Sequence, residues 1–218
     1  MKSPEANQNE NYENQDELWR LTLGLNSREG IELSRDKQGK PLLKLSENVH
    51  YPKPEEFHSK SHITGEIFLN PVDQDHPDTY VIPDNSTTLV NILNEASGTT
   101  DSFYMTPTES RTIGILSGIL GEVSTGLQRL AEEEKVLPTE LAYDRVLVVK
   151  DVFGFKLLPP VDLVHVDTKT ELKKAWGNIS ESFMTSLAEG ATTPTQWSLI
   201  DALKEPTKEA FHWQNISN

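Results

Sequence analysis

No cysteine occurs among the 218 residues. That absence excludes disulfides, thiolate nucleophiles and cysteine-based metal sites together. Cations are also scarce. Twenty Lys and Arg stand against 34 Asp and Glu, a formal net charge of −14. A surface of that sign repels phosphate backbones and anionic lipid heads, which sets aside nucleic-acid and membrane-surface partners. Long apolar runs are missing as well. Nothing approaches the roughly 18 apolar residues of a membrane span, and the start of the chain has no apolar stretch of signal-peptide length. A soluble, cytoplasmic protein is the expectation, and the sequons at Asn85, Asn178 and Asn215 are then chance.

The usual catalytic signatures are absent too. Gly24, Gly30 and Gly39 lie too far apart for a G-x-G-x-x-G loop. The stretch ILSGILG lacks the first glycine of G-x-S-x-G and places Ser117 inside a helical pattern, while His165 and Asp167 are near each other only in sequence. His58 and His62 stand four apart in EEFHSKSHITGE, with Glu55 or Glu66 as a third zinc ligand. However, the metalloprotease motif needs Glu directly after the first histidine, and here it is Ser59. Two surface histidines, and no metal, are the better reading.

What is present has the pattern of a globular chain with polar ends. Hydrophobic residues make up 35% and mean hydropathy is −0.51. Residues 1–17 hold almost no aliphatic side chain and cannot offset the entropy of ordering, so a disordered acidic, Asn-rich tail is expected there. LWRLTLGL, residues 18–25, mixes strand and helix spacing. Residues 30–46 outline a β-hairpin with its turn over Asp36–Gly39. His50–Ser61 is a polar, proline-interrupted loop or short helix. HITGEIFLNPV at 62–72 and TYVIP at 79–83 are expected strands.

Helical periodicity then takes over. Residues 86–97 have Leu89, Ile92 and Leu93 at helical spacing, with a cap at Ser86 to Thr88. Thr106-Pro107-Thr108-Glu109 is a capping box, and Ile113, Leu116, Ile119, Leu120, Val123, Leu127 and Leu130 form one stripe, predicting a long helix over 107–133. Arg145–Val149 and Phe155–Leu158 make a small hairpin closed by Pro159-Pro160. A helix over 169–188 and a weaker one over 196–203 follow. A run of strands followed by a run of helices indicates an α+β protein. Trp176, Phe183, Trp197, Phe211 and Trp213 are core residues or, where exposed, partner anchors.

The order from residue 79 onward resembles the protein-kinase-like fold, in which a strand leads through a hinge to a short helix and then a long helix ending near the catalytic loop. TYVIPDNSTTLVNIL (79–93) is similar to the last strand, hinge and first helix, and GLQRLAEEEKVL (126–137) to the end of the long helix. PTELAYDR, from Pro138, falls on the family's His-Arg-Asp-x-x-x-x-Asn. VFGFKLLPPVDL (152–163) falls on the strand leading into Asp-Phe-Gly. The matched region covers about residues 79–165.

The departures fall at the chemistry. The family's His, Arg and Asp correspond to Pro138, Thr139 and Glu140, the last a carboxylate one methylene too long. The metal-binding Asn corresponds to Arg145, and Asp-Phe-Gly to Pro159-Pro160-Val161. Lys44 in PLLKLS is the candidate for the nucleotide-pairing lysine, with Glu55 or Glu56 as its partner.

The resemblance implies a catalytically inactive relative, a pseudokinase, needing no cofactor. It would have a reduced β-rich N-terminal lobe over 18–84, a helical C-terminal lobe over 85–205 and a tail over 206–218. Its implied role is that of a protein-binding scaffold or regulator. Two alternatives stand beside it. One is a metal-independent nucleotide-binding regulator using degenerate cleft positions Lys44, Glu140 and Arg145, in which Arg145 meets a phosphate instead of pairing with Glu140 or Asp144. The other is an unrelated small α+β protein-interaction module.

Overall fold

Asp36 closes the first hairpin. In the computed structural model, which describes residues 30–53, 56–57, 62–73, 75–97, 107–149, 154–191 and 193–212, its carboxylate accepts the backbone N–H groups of Gln38 at 2.7 Å and Lys40 at 2.8 Å. Gly39 supplies the positive φ of +84° that an L side chain would resist. The turn joins β1 (Ile31–Arg35) to β2 (Pro41–Leu45) in the register Leu33↔Leu43 and Ile31↔Leu45. Leu33, Leu43 and Leu45 are buried on one face and Lys44 is exposed on the other, as a pleat of period two requires.

The architecture is α+β with antiparallel sheets. β4 (Thr79–Val81) pairs with β2 and with the two-residue β3 (Asn70–Pro71), giving a four-stranded sheet in the order β1-β2-β4-β3. β7 (Val146–Val149) lies between β5 (Ser86–Thr88) and β8 (Gly154–Leu157), and β6 (Val136–Pro138) pairs with β9 (Leu163–His165). The helices are α1 (Ile63–Ile67), α2 (Leu89–Ser97), α3 (Pro107–Glu134), α4 (Lys169–Glu189) and α5 (Pro194–Ala210). None among the described residues is long and apolar enough to cross a membrane.

The stripe expected on the long helix is the one buried. Leu116, Leu120, Val123, Leu127 and Leu130 of α3 are at most 3% exposed, and they join one hydrophobic cluster that runs from Leu33 to Phe211. Tyr51 knits the first sheet to the second within that cluster. Its ring meets Tyr80 and Phe68 edge-on, and its hydroxyl reaches the backbone of β8.

Three segments differ from the sequence expectation. Residues 62–72 begin as α1, not a strand. Ile63 and Ile67, four apart, are both buried. Contacts from elsewhere hold this turn: Arg129 of α3 pairs with Glu66 at 2.6 Å, and the Lys156 ammonium of β8 donates to the Gly65 carbonyl. Tertiary partners thus override the β propensity of Ile63, Thr64 and Ile67. Burial holds the Lys156 amine below the usual lysine range, with Glu66 pulling it back up.

The helix expected from residue 86 starts three residues later. Ser86–Thr88 is strand β5 against β7, and Thr88 provides the cap, its Oγ1 accepting the Asn91 N–H at 3.3 Å. The helix expected over 196–203 instead spans Pro194–Ala210 and passes through Pro206, so residues 206–210, expected in the tail, belong to this helix. The 3.6 period explains the extension, since Leu199, Leu203, Thr207 and Phe211 are all buried. Phe211 packs 5.7 Å from Trp176. The tail over 1–17, the segment 18–25, Thr106 and Trp213 lie outside the described residues.

Candidate functional site

The loop leaving β6 at Thr139 is fixed by two serines of α4. Leu141 donates its N–H to Ser182 Oγ at 2.9 Å, and Tyr143 donates its N–H to Ser186 Oγ at 3.0 Å. The spacing fits: four helical residues rise about 6 Å and two extended residues about 6.6 Å, so successive serines meet alternate loop amides. The serine hydroxyls donate back to the helix, to Ile179 O at 3.1 Å and Phe183 O at 2.9 Å. Tyr143–Arg145 then forms a 3-10 turn leading into β7.

Segment 158–162 makes the other wall. Leu158 N–H donates to Arg145 O at 2.7 Å, and Thr139 N–H donates to Asp162 O at 2.9 Å. The Arg145 guanidinium donates through Nη1 to the carbonyl of buried Pro159, and its Nε stands 3.7 Å from Asp144 Oδ1. The Pro159-Pro160 peptide is cis. His50 ties this wall to the first sheet. Val161 N–H donates to His50 O at 3.1 Å, and His50 Nδ1 lies 2.9 Å from Val161 O and 3.1 Å from Asp162 Oδ1.

Between the walls lies a pocket of about 400 Å³, within the size range of small-ligand sites. Loop residues 140–145 line it together with Leu157, Pro160 and Val161, and the end of α4 contributes Ser186, Glu189 and Gly190. The close approach at Gly190 is specific. A Cβ there would sit 1.9 Å from the Tyr143 hydroxyl.

Of the candidate residues, Glu140 and Arg145 meet in this pocket and Lys44 does not line it. Lys44 is exposed on β2, in register with Glu32 and Thr79. Glu56 bonds the Lys53 N–H at 3.0 Å, while Glu55 lies outside the described residues. Arg145 pairs with Asp144 and not with Glu140. His58 also lies outside, and no group of three metal-binding side chains occurs among the described residues. Of the aromatics, Trp176, Phe183 and Phe211 are core, and Trp197 is 48% exposed.

Sequence reading missed the α4 contribution. Its signal was the pair Ser182 and Ser186, four apart beside the buried Ile179, Phe183 and Leu187. It also missed Tyr51, which lay in a stretch read as polar loop. Compared with known proteins, the chain matches no protein-family model and has no significant sequence match among curated proteins.

Proposed function

We propose that the chain is a protein-kinase-like fold without phosphotransfer, reduced in its N-terminal lobe, that acts as a protein-binding scaffold or regulator. One observation carries the reading. By the resemblance, Arg145 and Pro159 occupy the two positions whose side chains would hold Mg²⁺, and Arg145 donates directly to the Pro159 carbonyl. The two positions are adjacent, as a shared metal would require, yet a guanidinium joins them. Phosphoryl transfer on this fold depends on Mg²⁺ to neutralise developing charge. A cation and a proline in place of both ligands remove that term.

The order of elements supports the same reading. The long α3 leads through β6 to the loop, the β7–β8 hairpin and the double proline, in the sequence the resemblance implies. The nucleotide-binding alternative draws less support. Lys44 is outside the pocket, and Arg145 already has Asp144 and Pro159 as partners.

The test is thermal unfolding with millimolar ATP, with and without Mg²⁺, for the native chain and Arg145→Ala. A ligand that binds only the folded state must raise the midpoint. The expected result is no shift in any arm. A Mg²⁺-dependent rise in the native chain would overturn the non-catalytic reading. A metal-independent rise lost in Arg145→Ala would replace it with nucleotide sensing.

A further inference from the structure

The pocket between the loop and the end of α4 has an electrostatic sign that the scaffold reading leaves unused. Among the described residues that line it, the one cation is Arg145, which is only 20% exposed and is engaged by Asp144 and Pro159 O. Two further carboxylates in the lining, Glu140 and Glu189, are exposed and make no side-chain hydrogen bond or ion pair among the described residues. Glu189 and Gly190 also form the C-terminus of the 21-residue α4, whose last turn contains no basic residue. A helix C-terminus carries roughly half a negative charge in its final carbonyls. Three sources of negative potential from two elements therefore converge on one concave, partly apolar space, and among the described residues that line it no second cation answers them.

We propose that this pocket receives an arginine side chain from a protein partner. The inference rests on reading the chain as a protein-binding module and names what its site recognises. Charge complementarity selects a cation over a phosphate. Shape selects arginine: Leu141, Pro160 and Val161 suit a hydrocarbon stem, Tyr143 offers an aromatic ring, and a planar guanidinium with five donors suits a wall that carries Glu140 and Glu189. At about 400 Å³ the space exceeds a single side chain, leaving room for the flanking backbone.

The experiment is an amide-resonance titration of the full chain with acetyl-Gly-Arg-Gly-amide, with acetyl-Gly-Gln-Gly-amide as the neutral control. The arginine peptide should shift resonances of residues 140–145 and 186–190, with added salt weakening the effect. The Glu140→Gln/Glu189→Gln double variant replaces two exposed side chains and so retains the fold. It should weaken binding roughly threefold to tenfold. Shifts no larger than the glutamine peptide's, or undiminished binding in the double variant, would overturn the proposal. So would inorganic phosphate perturbing the same residues. The ATP measurement reports separately: a Mg²⁺-dependent response there sinks the non-catalytic reading, while a silent peptide titration with no ATP response sinks only the arginine pocket.

Discussion

The Tyr51 hydroxyl donates to the Leu157 carbonyl at 2.7 Å across 106 residues of sequence and accepts the Leu69 N–H at 2.7 Å in return. One side-chain oxygen thus satisfies two buried backbone groups from separate parts of the fold. Tyr51→Phe keeps the ring and its edge contacts but orphans both groups. An unsatisfied buried polar group costs about 1–3 kcal/mol, so the variant should lose roughly that amount or somewhat more, read from the denaturant midpoint at unchanged m-value.

The same burial gives an alkaline signature. Desolvation pushes the Tyr51 phenol well above its ordinary value, against the lowering effect of the Leu69 hydrogen bond. Above about pH 10 the unfolded tyrosine releases its proton while the folded one keeps it, so the unfolded state binds fewer protons and stability falls as pH rises. One such group contributes about 1.4 kcal/mol per pH unit in that window. Lys156, held low by burial, acts with the opposite sign, but it is common to both proteins. The difference in unfolding free energy between the native chain and Tyr51→Phe should therefore shrink from about pH 10 upward and stay constant below it.

Arg145 makes a structural prediction apart from any ligand. Its charge-assisted hydrogen bond to the buried Pro159 carbonyl, beside Asp144, is worth about 1.5–3 kcal/mol by analogy with bonds to charged groups. Arg145→Ala should lower the melting midpoint by roughly 4–10 °C for a chain of this size. Asp144→Asn should cost less in that background than in the native chain, because the arginine it faces at 3.7 Å is already gone. A double-mutant cycle measures that coupling.

The contrast between these contacts and the helices shows what the sequence could convey. The α3 stripe and the β1–β2 hairpin were legible because their determinants are local: a 3.6-residue period, and an Asp and a Gly in one turn. Ile63–Ile67 was misread because five residues with two isoleucines fit either period. What decides it is Arg129 and Lys156, which arrive from α3 and β8. The helix expected over 196–203 falls short, because the buried face continues through Pro206 to Phe211. Of the pocket lining, Glu140 and Arg145 are positions that the kinase-like resemblance singles out. Ser186 and Gly190 of the lining, and Ser182 beside it, are not, since each meets a loop about 40 residues upstream. Lys44 is the position that the same resemblance gives for the nucleotide-pairing lysine, but its strand faces it outward.

Ser182 and Ser186 should act as a pair. Each Ser→Ala change leaves one loop N–H without its acceptor, at about 1–3 kcal/mol if water cannot replace it. Because both sites are only part-buried, the lower half of that range is expected for each. Amide exchange at Leu141 should accelerate in Ser182→Ala and at Tyr143 in Ser186→Ala, with the core of α3 unaffected. Uniform acceleration throughout the chain would mean that the serines support the whole fold and not this loop.

Gly190 offers a test in which sign matters more than size. Its backbone is right-handed, with φ −76° and ψ −13°, so alanine fits there without strain. The obstacle is Tyr143, whose hydroxyl and Cζ would lie 1.9 Å and 2.7 Å from the new Cβ. Gly190→Ala should therefore displace the tyrosine and destabilise by about 1–3 kcal/mol, the usual consequence of overpacking. Once Tyr143→Ala has removed the ring, the same glycine change should be neutral or stabilising by about 0.4–1 kcal/mol, because alanine restricts the unfolded chain. Thermal unfolding of the four proteins in the cycle measures the reversal. A penalty that persists in the Tyr143→Ala background would show that Gly190 is required by the end of α4 itself, and that the tyrosine does not fix this wall of the pocket.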